Sequence, residues 1–393
     1  REVRGRAGKV GVATGLAVGA GVAGYAILWA SYGFKFHPSA DGRDGWDFAP
    51  LMERLAYKDT FRRNPGHEPD PAELARYRPN AMIRAALWFE QARVLPQTWV
   101  YGFVSTYADS LLRRGYLLGK VEIAGRWSYY PCVFAFKTPV GSQLALYGAA
   151  VMAGALGWRR AGGAGGAGGD GGAGGAAHGR GSGWAAACLL LPAGLYTALA
   201  MTSSMNLGVR HLLPVYPLLF VAAGWAWSGA VRRWARPAWL VIGAVIAAVA
   251  LESLVAAPNF LSFFNTPSGG ERGGTRLLSD SNLDWGQDLP ALAAWQRANS
   301  HRRLYLRYFG TARPGYYGIR YALMPGTGPA LGQHLDATGA AAMPDEPGVL
   351  AISATELQGV YLTPDEAERV RPLLDRPPTM VLNGTIYLYD LAQ

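Results

Sequence analysis

Three places in the sequence set cations, carboxylates and aromatic rings close together. In GRWSYYPCVFAFKTP, residues 125–139, Arg126 and Lys137 bracket an aromatic run. In NLGVRHLLPVYPLLF, residues 206–220, Arg210 and His211 precede a long apolar stretch. In SDSNLDWGQD, residues 279–288, Asp280, Asn282, Asp284 and Asp288 surround Trp285. Cations at the edge of an apolar environment are suited to holding a phosphate, because a charge-assisted contact strengthens as water is removed. Carboxylates and an amide around an indole are suited to gripping sugar hydroxyls while a sugar face stacks on the ring. Each group has a plainer use. Lys137 and Arg210 fit as anchors that snorkel beside an interfacial belt of Trp127, Tyr129 and Tyr130. His211 fits as a helix-start hydrogen bond, and the acidic cluster as a strand-to-helix turn with an N-cap.

The elements that must carry these residues are apolar. Hydrophobic residues make up 50% of the 393 and charged residues 16%, against about 25% charged in ordinary soluble domains. Mean hydropathy is only +0.06, so the apolar residues are segregated. Residues 10–34, 138–158 and 184–209 contain no Lys, Arg, Asp or Glu; 211–231 carry only His211 and 237–258 only Glu252. About 20 such residues cross a bilayer as a helix. The pattern predicts five transmembrane helices near 10–30, 139–158, 184–203, 211–230 and 237–257, the fourth kinked by Pro214 and Pro217.

Charge sets the expected orientation. Arg1, Arg4, Arg6 and Lys9 precede the first segment, Arg159, Arg160 and Arg180 follow the second, and Arg232, Arg233 and Arg236 follow the fourth. Basic residues accumulate on the cytoplasmic side. The N-terminal end is therefore expected inside, with loop 31–138, loop 203–210 and the tail after 258 outside. The glycine-rich segment within 159–183 lacks P-loop spacing and reads as a flexible cytoplasmic linker. Net charge is +10, yet no basic stripe with interleaved aromatics marks a nucleic-acid groove. Cys132 and Cys188 offer neither zinc spacing nor a disulfide framework. A transporter is disfavoured because Glu252 stands alone among the apolar segments. The chain starts with Arg1 just ahead of an apolar segment, as expected for the C-terminal part of a longer protein.

The domain division expected is a transmembrane region over 1–257 and an α/β domain over 258–393. Within loop 31–138, residues 69–96 show helical spacing, with Met82, Ala85, Ala86 and Phe89 on one apolar face and Pro96 as the stop. In the tail, 275–279, 303–310 and 348–354 read as strands and 288–299 as a helix. A second helix follows the capping box at Thr363 and Glu366. The last residues read as a hairpin about Asn383-Gly384, and that turn accounts for the glycosylation sequon Asn383-Gly384-Thr385.

YLLG at 116–119, RWSYYPCVFAFKTP at 126–139, NLGVRHLLPVYPLLFVAAG at 206–224 and SDSNLDWGQDL at 279–289 resemble the C-terminal half of bacterial membrane glycosyltransferases of the GT-C fold. These are the protein mannosyltransferase-like and aminoarabinose-transferase-like enzymes of glycosyltransferase family 39 and its relatives. The resemblance touches most of residues 20–320. It implies transfer of a sugar from a polyprenyl-phosphate donor to an acceptor glycan, lipid or protein outside the membrane. Lys137 and Arg210 match positions that hold the carrier phosphate. The acidic base that deprotonates the acceptor belongs to an earlier loop than this chain contains, so no catalytic residue is assigned. Asp44 and Asp47 lie in a later loop and are weak substitutes. No cofactor is expected, since the lipid-linked sugar is itself the donor substrate; a metal is left open. The alternative is a non-enzymatic membrane protein whose α/β domain binds a glycan or a partner.

Overall fold

The computed structural model describes residues 6–39, 44–64, 67–123, 125–163, 174–324, 330, 339–340 and 347–391. The chain divides into two compact units, 1–112 and 113–393.

In the first unit, α1 (Arg6–Ser31) is followed by α2 (Ala49–Arg63), α3 (Pro71–Ala75), α4 (Ala81–Gln91) and α5 (Gln97–Leu111). The single helix expected over 69–96 is two helices. Asp70 caps the first through a reciprocal box with Glu73, and Asn80 caps the second by accepting from the Ile83 amide. Between them Pro79 cannot sit in a helix interior. The buried face of α4 is also one residue out of phase with the expected one. Ile83 and Ala86 join Leu51, Leu55, Val100 and Val104 in the core, whereas Met82, Trp88 and Phe89 are exposed. Tyr25 and Trp29 of α1 both donate to the Val94 carbonyl, at 2.7 and 3.1 Å.

In the second unit, a ribbon of β1 (Gly115–Leu117) and β2 (Lys120–Glu122) leads into α6 (Tyr129–Lys137), α7 (Val140–Gly163) and α8 (Gly174–Thr202). The glycine-rich segment read as a linker is helical at both ends, closing α7 and opening α8; residues 164–173 lie outside the described residues. A 3-10 turn, Val209–Leu212, precedes α9 (Val215–Ala256). The fourth apolar segment therefore starts its α-helix after Arg210 and His211. Pro214 is its N-cap and Pro217 lies in its first turn, where no intrahelical amide is lost, so neither kinks it.

The break falls at Trp234, whose φ and ψ are −129° and 45°. A straight helix would set Phe220 and Val245 about 37 Å apart, yet both line one 540 Å³ cavity together with Trp227, Trp239 and Ile242. The two limbs of α9 therefore fold back on one another at the Arg-rich bend. Helix α7 packs on both: the Trp227 indole donates to the Ala145 carbonyl at 2.9 Å, and Gly141 lies so close to the Val245 carbonyl that a Cβ would approach it to 2.7 Å. Among the described residues, three helices are long and apolar enough to cross a membrane: Val10–Ser31, Trp184–Thr202 and Val215–Ala256. Val140–Gly154 is a shorter apolar one. Valines and leucines along them, such as Leu16, Val22, Leu195, Leu240 and Leu254, are left uncovered by the chain, as suits a membrane protein.

Beyond α9 come α10 (Gly270–Gly273), α11 (Leu289–Ala298), β3 (Leu304–Arg307), β4 (Tyr321–Leu323), β5 (Gly339–Ala340), β6 (Gly348–Ser353), α12 (Ala354–Leu357), α13 (Pro364–Asp375), β7 (Met380–Leu382) and β8 (Ile386–Leu391). They build one six-stranded sheet of order β5-β4-β3-β6-β8-β7, parallel from β5 to β6 and antiparallel from there on. The Thr363–Glu366 capping box and the terminal hairpin form as expected. Residues 275–279 do not form a strand. They make a 3-10 turn and one bridge, Leu278 to Leu117, because the loop must turn sharply into 279–288.

Candidate functional site

From β3 the chain goes to β4 on one side, while β6 lies on the other and leads on to β8 and β7. The connections leaving the carboxyl ends of β3 and β6 thus diverge. That is the arrangement in which open α/β sheets leave a crevice for ligands. Here the loop 279–288 enters it. The Asp284 carboxylate is fully buried and accepts from the amides of Gly286, at 3.0 Å, and Thr355, at 3.4 Å, and from the Ser353 hydroxyl. Burial pushes its carboxyl up to about 7, partly opposed by those three donors. Gly286 permits the approach, since its φ is +74° and a Cβ would sit 2.8 Å from the Tyr308 ring.

Asn282 is the hub of the loop. Its side chain accepts from the Val209 amide at 3.0 Å and donates to the Tyr129 hydroxyl at 2.8 Å. Its own carbonyl accepts from Lys137 Nζ at 2.6 Å, and the lysine also donates to the Leu261 carbonyl at 2.9 Å and lies 4.5 Å over the Phe264 ring. Lys137 is therefore buried and occupied with backbone, and burial pushes its ammonium down to about 7. Asp288 does not cap α11; it accepts from Asn383 and Thr385 in the β7–β8 turn. Arg126 lies 3.6 Å from Glu122 on the surface ahead of α6.

A second set of groups gathers around the exposed Trp285 ring. Asp280 adopts a positive φ of 54°, which turns its carboxylate to accept from Trp285 Nε1 at 3.0 Å and from the Tyr361 hydroxyl, with Arg113 at 3.9 Å. Tyr361 stacks on Phe309, ring centroids 5.4 Å apart. The exposed Arg210 guanidinium lies 5.3 Å over the Trp285 ring, which is itself 54% exposed. Behind Arg210, the Nε2 atom of His211 is buried without a hydrogen-bond partner, and so is Nε of Arg113. Burial, together with Arg210 and Arg113, holds the His211 imidazole below its ordinary range. Two guanidiniums, an imidazole, a carboxylate and three rings thus share one face at the carboxyl ends of the strands. Among the described residues no cluster of histidines, cysteines and carboxylates could hold a metal ion.

The chain matches no known family, no curated protein and no solved structure.

Of the residues singled out in the sequence, Arg210, His211, Asp280 and Trp285 converge, with the Arg210 and Trp285 side chains exposed and the Asp280 carboxylate tucked behind them. Asn282, Asp284 and Asp288 lie beneath them, Lys137 bonds to the same loop from the other side, and Arg126 lies apart. Arg113, Phe309 and Tyr361 belong to the face and were missed. Tyr361 is 81 residues from Asp280 in the chain, and nothing local in GVYLTP marks it.

Proposed function

We propose that the chain is the C-terminal portion of a GT-C-type membrane glycosyltransferase that moves a sugar from a polyprenyl-phosphate donor to an acceptor beyond the membrane. The two limbs of α9 would be separate crossings and α7 another, giving five. With the Arg232–Arg236 bend in the cytoplasm, the sheet domain lies on the outer side. The observation that carries the reading is the Arg210–Trp285–Asp280 face. A guanidinium held over an exposed indole is placed for a phosphate oxygen, and the indole beside a carboxylate is placed for a sugar ring. Lys137 supports that face by tying the loop, through the Asn282 carbonyl, to the Leu261 carbonyl, and does not itself reach for the phosphate. The decisive experiment is transfer from a polyprenyl-phosphate sugar by the full-length protein, with its earlier loops present, in membranes. Arg210→Ala and Trp285→Ala should each lower transfer at least tenfold, on the order of 1.4 kcal/mol, with expression unchanged. Full activity in both variants removes the face from the reaction.

The alternative is a binding domain without catalysis, and the carboxylates of the 279–288 loop fit it as well as they fit an enzyme whose base lies in an earlier loop. Asp280 is engaged by donors from Trp285 and Tyr361, and Asp284 and Asp288 are buried, so none of the three stands free as a base. Glycan binding that is lost in Trp285→Ala, with no transfer by the full-length wild type, would establish that reading.

A further inference from the structure

The cavity between the limbs of α9 has an apolar length and a cationic end. Phe220, Ala223, Trp227, Trp239, Ile242 and Val245 line its length, and Ser228 and Arg232 close it near the bend. Arg232 donates to the Ser228 hydroxyl at 3.3 Å, Arg233 lies 5.5 Å over the Trp234 ring, and Arg236 is exposed on the far side of the break. No acidic residue occurs between Val209 and Leu251, so these three charges are unneutralised within the hairpin. The volume of 540 Å³ falls within the range of about 300–1,000 Å³ typical of small-molecule sites. Gly224 faces it with nothing within 4 Å of where a Cβ would stand, so the cleft is open along its wall and not merely loosely packed.

We infer that this cleft binds one anionic glycerophospholipid, its acyl chain lying between the limbs and its phosphate on Arg232 and Arg236. An acyl chain matches the apolar walls. A phosphate matches guanidiniums, which hold it through paired N–H donors. Trp234 at the break and Trp239 beyond it supply indoles, which favour a headgroup region. Such a lipid would fill the space between the two limbs. The inference rests on the limbs lying in a membrane, and it does not depend on glycosyl transfer.

The test compares thermal midpoints of the purified full chain in non-ionic detergent with added phosphatidylglycerol and phosphatidylcholine. Phosphatidylglycerol should raise the midpoint at concentrations where phosphatidylcholine does not. Arg232→Gln and Arg236→Gln should each raise the half-saturating concentration roughly fivefold, as expected for one basic residue at an anionic lipid surface. Gly224→Leu should fill the cleft and abolish the phosphatidylglycerol effect. Equal stabilisation by both lipids overturns the inference, as does an unchanged preference in Arg232→Gln. That substitution lies at an exposed mouth, so its result stands even if Gly224→Leu disturbs folding. A hairpin that spans the membrane but shows no lipid preference would refute the site while leaving the membrane placement intact.

Discussion

At the scale of single residues, the carboxylates of one short loop have different roles because their surroundings differ. Asp284 is buried among neutral donors, so its neutral form is favoured in the folded protein and its carboxyl titrates at about 7. The folded state then binds more protons than the unfolded one between about pH 4 and 7. The contribution to stability is fully present below about pH 4 and is lost as pH rises through about 7. Asp284→Asn should flatten that loss, read as the change in thermal midpoint between pH 5 and 8; an identical pH profile would show that Asp284 is ionised in place. Lys137 makes the opposite case of a buried cation held by carbonyls. Lys137→Met keeps the volume but leaves the Leu261 and Asn282 carbonyls without a donor. It should cost about 1–3 kcal/mol in denaturant unfolding. Stability equal to wild type would show that water replaces the ammonium.

At the scale of elements, the 3-10 turn before α9 and the 279–288 loop are fitted to each other. Gly208 has φ +110°, and a Cβ there would stand 2.5 Å from Asn282 Oδ1. The same Asn282 atom accepts the Val209 amide. Gly208→Ala is expected to strain the backbone and break this contact together, costing about 1–3 kcal/mol. Its effect should be non-additive with Asn282→Ala, since both remove one contact. Additive losses in a double-mutant cycle would separate the two segments. The apolar helices depend on small residues in the same way. Gly141→Leu cannot fit against Val245 and should push α7 off the second limb of α9, lowering the thermal midpoint in detergent.

At the scale of the molecule, the bend at Trp234 and the sheet domain are the two features whose sides of a membrane can be read directly. In a chain with Cys132 and Cys188 replaced by serine, Ala235→Cys beside the bend and Tyr316→Cys on the exposed surface of the sheet domain should react with a membrane-impermeant maleimide from opposite sides. Labelling of both from one side would rule out a hairpin that spans once down and once back.

What the sequence determined by itself follows from local causes. Hydropathy over some twenty residues marked the apolar segments. The Thr363–Glu366 box and Asn383-Gly384 marked a helix start and a hairpin turn, because caps and turns are satisfied within a few residues. The same local logic misplaced the buried face of α4 by one position and made a strand of 275–279, where neighbouring segments decide which side is covered. The break at Trp234 falls in the Arg232–Arg236 run that separated the fourth and fifth apolar segments in the sequence. Only the tertiary structure decided that Lys137 is spent on the Leu261 and Asn282 carbonyls, and that Arg113, Phe309 and Tyr361 join Arg210 and Trp285. Those outcomes depend on which distant segments meet at the carboxyl ends of β3 and β6, and charge and desolvation act through distance in space, not along the chain.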